Sequence, residues 1–134
     1  MFAEMDIFLT KKHLVSLAII IKNKPHSFNA FYAYDKINSC AIIASDEKSL
    51  HGKCFKDGLE ISGTIALDTK IVGLINGVQI WGEIIKSDNV DAEIYFKKFP
   101  YAKPLNPKLW KIKINKAKLT DNKLLLSKKL IWSR

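Results

Sequence analysis

The residue types best suited to chemistry are gathered in one stretch, Ala44-Ser45-Asp46-Glu47-Lys48-Ser49-Leu50-His51-Gly52-Lys53. An apolar run leads into it and a helical pattern leads out, so it reads as a strand-to-helix turn. A helix N-terminus presents unpaired N–H groups and a partial positive charge, which suits a phosphate. Ser45 and Ser49 add hydroxyls, Lys48 and Lys53 add charge, and His51 adds a donor whose charge changes near neutral pH. Asp46 and Glu47 pull the other way: they are the acids that any first helical turn attracts, and they repel a phosphate. No other segment has the spacing of a catalytic motif. Gly-x-Ser-x-Gly, a Walker loop, Gly-x-Gly-x-x-Gly and His-Glu-x-x-His are all absent. Glu47 and Glu83 are isolated, a first-turn acid and a strand-edge charge. Cys40 and Cys54 lack Cys-x-x-Cys spacing and His13, His26 and His51 are scattered, which argues against zinc. Both cysteines read as buried thiols in a reducing compartment.

The elements that must position this turn can be read from periodicity. Phe2 to Lys12 has apolar residues at near-helical spacing. Leu14 to Ile21 is apolar and β-branched, which predicts a strand buried on both faces. Lys22-Asn23-Lys24-Pro25 predicts a turn. From Phe28 to Tyr34 the pattern alternates: Phe28, Ala30, Tyr32 and Tyr34 share one face, Asn29 and Phe31 the other. Asp35-Lys36-Ile37-Asn38 then turns into a third strand, Cys40 to Ala44, giving an antiparallel hairpin. Ser45-Asp46-Glu47 opens a helix that ends at Gly58. Leu59 to Leu67 is a fourth strand. Ile71 to Lys86 is a long β-rich run in which Asn76-Gly77 is either a type I′ turn or a bulge. Asp88 caps a helix that runs to Phe99, and Pro100 stops it. Leu109 to Lys118 alternates as a half-exposed strand. After a turn at Asp121-Asn122, Leu124 to Leu126 and Leu130 to Trp132 complete the pattern. About six strands with short connections and three helices predict one mainly β domain over residues 1–134, a small antiparallel barrel with short helices at its ends. A parallel sheet would need a helix after nearly every strand.

Composition sets limits. The 134 residues suit one domain. Apolar residues make up 48% and charged residues 26%, which excludes a disordered or collagen-like chain. No stretch approaches the roughly 20 apolar residues of a membrane span. Leu14 to Ile21 follows basic residues as a signal peptide would, but an acidic decapeptide precedes it and no small-residue cleavage site follows, so it reads as a strand of a cytoplasmic protein. The net charge is +9, unevenly spread: residues 97–134 hold 12 basic side chains and one acid, the remainder 10 basic and 12 acidic. Such a segment can contact phosphates, yet 21 of the 22 basic residues are lysine. Arginine is the preferred residue for bidentate contacts to bases and phosphates, which argues against nucleic acid.

The order of the elements resembles the pyridoxamine 5′-phosphate oxidase-like split β-barrel, and within that superfamily the small bacterial YhbP-like proteins. The segments that carry the resemblance are Asn29-Ala30-Phe31-Tyr32, Glu47-Lys48-Ser49-Leu50-His51, Ser62-Gly63-Thr64, Gly77-Val78-Gln79-Ile80-Trp81-Gly82-Glu83-Ile84, Phe99-Pro100-Tyr101-Ala102, Thr120-Asp121-Asn122 and Lys128-Lys129-Leu130-Ile131-Trp132. The resemblance implies a six-stranded antiparallel split β-barrel with two or three short helices, working as a homodimer with flavin mononucleotide (FMN) in two interface grooves. It implies a phosphate site on the strand-to-helix turn at Ser49 and His51, where Ser45 adds a hydroxyl and Lys48 or Lys53 a compensating charge, with Asn29 beside the flavin ring and ring or partner-subunit contacts from Gln79 and Trp81. In many flavin-binding relatives that turn carries Ser-x-Lys; Ser49 matches the serine, but His51 stands in place of the lysine. A neutral imidazole offers one donor and no fixed charge. The function implied is an FMN-dependent oxidoreductase, with a nicotinamide nucleotide or another small redox substrate as partner. The alternatives are a flavin carrier or sensor, a flavin-free barrel dimer, and a basic protein contacting nucleic acid or another anionic partner. Pyridoxamine phosphate oxidation is not expected, because its substrate phosphate calls for arginines and this chain has only Arg134.

Overall fold

Alternation along the strands builds the molecule. In the computed structural model, which describes residues 1–122 and 128–134, β1 (Leu14–Ile21) buries Val15, Leu17 and Ile19 and exposes Leu14, Ser16 and Ile20. The burial on both faces expected for this strand is therefore corrected: one face lines a barrel core and the other is open. Lys22 and Asn23, both with positive φ, make a two-residue turn into β2 (Lys24–Asp35). Positive φ at both positions is the geometry that matches strand twist in a tight hairpin. The Asp35 carboxylate accepts the N–H groups of Ile37 and Asn38, which turns the chain into β3 (Cys40–Ala44). The remaining strands are β4 (Glu60–Ala66), β5 (Asn76–Lys86), β6 (Leu109–Asp121) and β7 (Lys128–Ser133). The Leu124 to Leu126 reading lies outside the described residues.

The sheet order is β3-β2-β1-β4-β5-β6-β7, and β3 also pairs with β6. That pairing closes six antiparallel strands into a barrel and leaves β7 as an added strand. β3 takes the first half of the β6 edge, Leu109 to Lys113, and β7 the second, Lys116 to Asp121. Arg134 fastens the seam between them: its guanidinium donates to the carbonyls of Asn38, Ser39 and Ile114.

Asn76-Gly77 is neither a hairpin turn nor a bulge. It starts β5, which runs unbroken to Lys86, while the chain before it makes a short 3-10 turn at Val72–Leu74. The irregularity falls instead between Trp81 and Gly82. A Cβ at Gly82 would sit 2.2 Å from the Lys113 carbonyl oxygen, so only glycine lets β6 approach there.

Short helices cover the rest. α1 (Ala3–Lys11) presses Met5, Phe8 and Leu9 onto the core, at roughly 1.5–3 kcal/mol for each large apolar side chain buried. Tyr32 Oη donates to the Leu9 carbonyl and Tyr34 Oη to Asp6, each at 2.6 Å, and these bonds fix α1. α3 (Asn89–Lys98) begins at Asp88, in a capping box with Asp91. Its Tyr95 joins Ala33, Ile42 and Leu109 in a second small core outside the barrel. α3 thus covers the outer face of β3 and of the last part of β2, around Ala33, while the outer face of the rest of β2 and of β1, β4 and β5 is left open.

Candidate functional site

The strand-to-helix turn is knit together by its own side chains. α2 spans only Leu50–Cys54, and its N-cap is Ser49. The helix expected from Ser45 to Gly58 is corrected to this single turn. Asp46 takes the Lys48 N–H, which holds the chain outside the helix, and Phe55 turns extended to bury its ring edge-on against Trp110. Ser49 Oγ donates to the Asp46 carbonyl (2.6 Å) and accepts from Gly52 N (3.1 Å). A Cβ at Gly52 would fall 2.1 Å from that same carbonyl, so glycine is what lets the turn close. His51 leaves the turn toward β2, where its ring stacks on Phe28 and lies near His26. Burial, and then the neighbouring His26, lower its pKa; Asp46 opposes them weakly.

Ser45 and Lys48 face the other way. They line a cleft of about 1060 Å³ bounded by the turn, the end of β5, the start of α3 and the loop before β6. Ser45 is buried and its Oγ has no hydrogen-bond partner. An unpaired buried hydroxyl typically costs about 1–3 kcal/mol.

Asn29, Gln79 and Trp81 occupy a third place, the open outer face. Strand register lines up Asn29, Ser16, Thr64, Gln79 and Lys118 in one row across five strands. Ser27, Ala18, Ser62, Trp81 and Lys116 form the next row. Ser16 Oγ donates to Asn29 Oδ1 at 2.8 Å. The small residues of the two rows floor a groove of about 290 Å³. Leu14, Ile20, Phe31 and Trp81 stand exposed on the same face. Lys116 lies 5.2 Å from the Trp81 ring centre.

Sequence reading therefore placed seven candidate residues that the fold separates into groups. β2 joins two of them: Phe28 meets His51 on its inner side, and Asn29, the next residue, points outward. Ser16, Ser62, Lys86 and Lys108 were missed as site residues. Their signal is strand pairing and loop convergence, which local spacing does not carry. Several lysines of the basic segment are already engaged. Lys111 pairs with Asp91 at 3.2 Å and Lys113 with Glu83 at 3.9 Å. Among the described residues no group of three His, Cys, Asp or Glu converges for a metal, and no helix is long and apolar enough to cross a membrane. Cys40 is buried, which raises its pKa, and Cys54 is half-buried.

No protein-family profile matches the chain. A UPF0306 protein of Cronobacter sakazakii is 35% identical over 131 residues, covering 95% of this chain and 91% of that one. The UPF0306 protein YhbP of Escherichia coli O127:H6 is 33% identical, covering 95% of this chain and 94% of its own. The chain belongs to the UPF0306 (YhbP) family. Solved structures extend the likeness of this UPF0306 chain at the level of fold. A heme binding protein from Mycobacterium smegmatis matches with a TM-score of 0.77 at 9% identity over 99% of this chain, which spans 59% of that longer protein. An FAD binding protein from the same organism matches with a TM-score of 0.63 at 11% identity, covering 97% of both chains. This chain thus has the pyridoxamine 5′-phosphate oxidase-like split-barrel fold.

Proposed function

We propose that this chain is an FMN-binding flavoprotein and an oxidoreductase, acting as a homodimer whose interface includes the open outer face. The observation that carries the reading is the groove on that face. It is floored by Ser16, Ala18, Ser62 and Thr64, flanked by amide and indole side chains, and set among four exposed large apolar residues. Small side chains under a flat groove suit a planar ring system, and the exposed apolar residues suit a second copy. The FAD-binding and heme-binding names of proteins with this fold support a planar redox cofactor.

The residues present fit the ring better than the phosphate. Asn29 and Gln79 offer amides to ring heteroatoms, and Trp81 offers an apolar wall. The phosphate falls to the His51 side of the β3–α2 turn, where the imidazole supplies one donor. The flavin would supply hydride and electron transfer; the side chains bind it, orient it and keep water from one face. Arg134 is committed to three backbone carbonyls, which leaves no arginine for a substrate phosphate.

A second reading, a barrel dimer without flavin, is favoured by one specific observation. Ser49 Oγ is spent inside the turn, donating to the Asp46 carbonyl and accepting the Gly52 N–H, so of the pair that the resemblance assigns to the phosphate only the edge of the stacked His51 ring is left. The test is a visible absorption spectrum of freshly purified protein, then FMN titration followed by flavin-fluorescence quenching, with mass measured by light scattering. Flavin bands, or saturable quenching at one FMN per chain in a dimer, support the first reading. A dimer with neither bands nor quenching supports the second, and a monomer overturns both.

A further inference from the structure

The register break in the sheet leaves a cavity beside the groove on the open face. Trp81 pairs with Lys116 and Gly82 with Ile114, so Asn115 is an extra residue of β6 with no partner on β5. A strand that carries an extra residue bends and re-aims its side chains. Gly82 brings no side chain to fill the bend. The space there is about 530 Å³, inside the range of small-molecule sites, roughly 300–1,000 Å³. Ile20, Pro25 and Trp81 give it apolar walls, Asn115 gives it an amide, and Glu60 gives it a carboxylate. It adjoins the groove, because Ala18, Ser62 and Trp81 line both.

The charge of the lining decides what the cavity takes. The chain is +9 overall, yet Glu60 is the single ionisable side chain among the described residues of this lining. Strand pairing sets Glu60 directly opposite Glu83. Like charges at opposed positions destabilise a sheet. Lys113 offsets Glu83 at 3.9 Å, and Glu60 makes no ion pair among the described residues. Lys116, the lysine beside the shared wall, lies over the Trp81 ring. A cation supplied by a ligand pairs with Glu60 and relieves the opposed carboxylates. We propose that this cavity binds an organic cation with a flat apolar body, of the arylalkylamine class, as the substrate end of the flavin site. The body packs against Ile20, Pro25 and Trp81, and the ammonium group donates to the Glu60 carboxylate. The substrate role rests on the flavin reading; the cavity and its charge do not.

The test titrates tryptamine, its neutral analogue tryptophol and its anionic analogue indole-3-acetate into isotope-labelled protein and follows backbone amide shifts. Each titration is repeated with Glu60→Gln, an exposed strand position where the variant keeps the fold. Saturable shifts at residues 18–20, 60–62, 81–82 and 115 support the site, with tryptamine bound about fivefold or more tighter than tryptophol and indole-3-acetate weakest. Glu60→Gln should bring tryptamine level with tryptophol. No saturable shift, equal affinities in the natural chain, the anion bound tightest, or a preference that survives Glu60→Gln overturns the site. FMN titration of the same samples separates this proposal from the flavin reading. Tryptamine that binds the FMN-loaded protein as it binds the free chain supports two adjoining sites. If FMN binds and excludes tryptamine, the cavity is part of the flavin's own footprint and the proposal is rejected while the flavin reading stands. If tryptamine saturates the cavity while FMN binds nowhere, the flavin reading fails, and the substrate role with it, while the cation site stands.

Discussion

The His51 imidazole lies flat on the Phe28 ring, with centroids 3.8 Å apart and planes within 2° of each other. That contact ties the one-turn helix α2 to the strand that carries Asn29 on its opposite side. It places a titratable ring in an apolar stack, and the first prediction comes from it.

Burial, and secondarily His26, lower the His51 pKa in the folded chain. As pH falls, the unfolded chain therefore takes up the proton first. The stability tied to the neutral ring is complete above the free-histidine range, about 6.5, and declines as pH drops below it. Denaturant midpoints measured between about pH 7.5 and 5.5 should fall for the natural chain and fall less for His51→Phe, which keeps the stack and removes the proton. Parallel curves for the two would contradict a neutral, stacked His51.

Ser49 caps α2, and the resemblance also makes it a phosphate ligand. Two substitutions separate these roles. Ser49→Ala removes the oxygen that accepts the Gly52 N–H and should cost about 1 kcal/mol. Ser49→Asp restores the cap but places a carboxylate where the phosphate would sit. Its thermal midpoint should return close to that of the natural chain while FMN affinity drops. If Ser49→Asp binds FMN as well as the natural chain does, the phosphate lies elsewhere.

His51→Lys tests the departure at this turn directly. A lysine supplies the fixed charge that the imidazole lacks, and charged hydrogen bonds are roughly twice as strong as neutral ones. FMN affinity should rise about tenfold, some 1.4 kcal/mol, even though the Phe28 stack is lost. Unchanged affinity in a fluorescence titration removes His51 from the phosphate site.

How far the sequence could be read follows from which forces are local. Asp88 at the start of α3 and the alternation of Phe28, Ala30 and Tyr32 were legible, because capping and strand periodicity are written in adjacent residues. The outer face of β1 was not: Ile20 is as apolar as Ile19, and only the closed barrel decides which of them is buried. Asn76-Gly77 has the composition of a turn, but pairing of β5 with both β4 and β6 keeps it in a strand. The turn around Ser49 was visible as chemistry. Its division into a His51 side and a Ser45 side was not, because it depends on Phe28 and on residues 86–89 and 105–109, distant in sequence.

Arg134 carries a structural prediction. It crosses from β7 to the β2–β3 turn and to β6, donating at 2.8 to 3.0 Å to three carbonyls. Lysine has one nitrogen where the guanidinium fork has several fixed donors. Arg134→Lys should lose about 1–2 kcal/mol of stability, by the usual worth of hydrogen bonds to charged groups discounted for exposure. Amide exchange should quicken at Asn38, Ser39 and Ile114 rather than uniformly. An equal stability for the two chains would mean that the seam is held by the strand ladders alone.

Trp81 tests the outer face itself. The residue is 38% exposed in the single chain and stands beside the groove, with Lys116 against its ring. Truncating a partly exposed side chain costs the isolated barrel little, so Trp81→Ala should change its unfolding by no more than about 1 kcal/mol. In a dimer built on this face the same indole is buried among apolar neighbours, and large aromatic residues at such centres often account for about 2 kcal/mol or more of association. The expected outcome is a folded chain whose dimer dissociates at least tenfold more readily by sedimentation and whose FMN quenching weakens in parallel. If dimerisation weakens while FMN still binds, the groove is completed within one chain. Should both be unchanged, the open face of β1, β4 and β5 is neither the interface nor the cofactor site, and both assignments fall together.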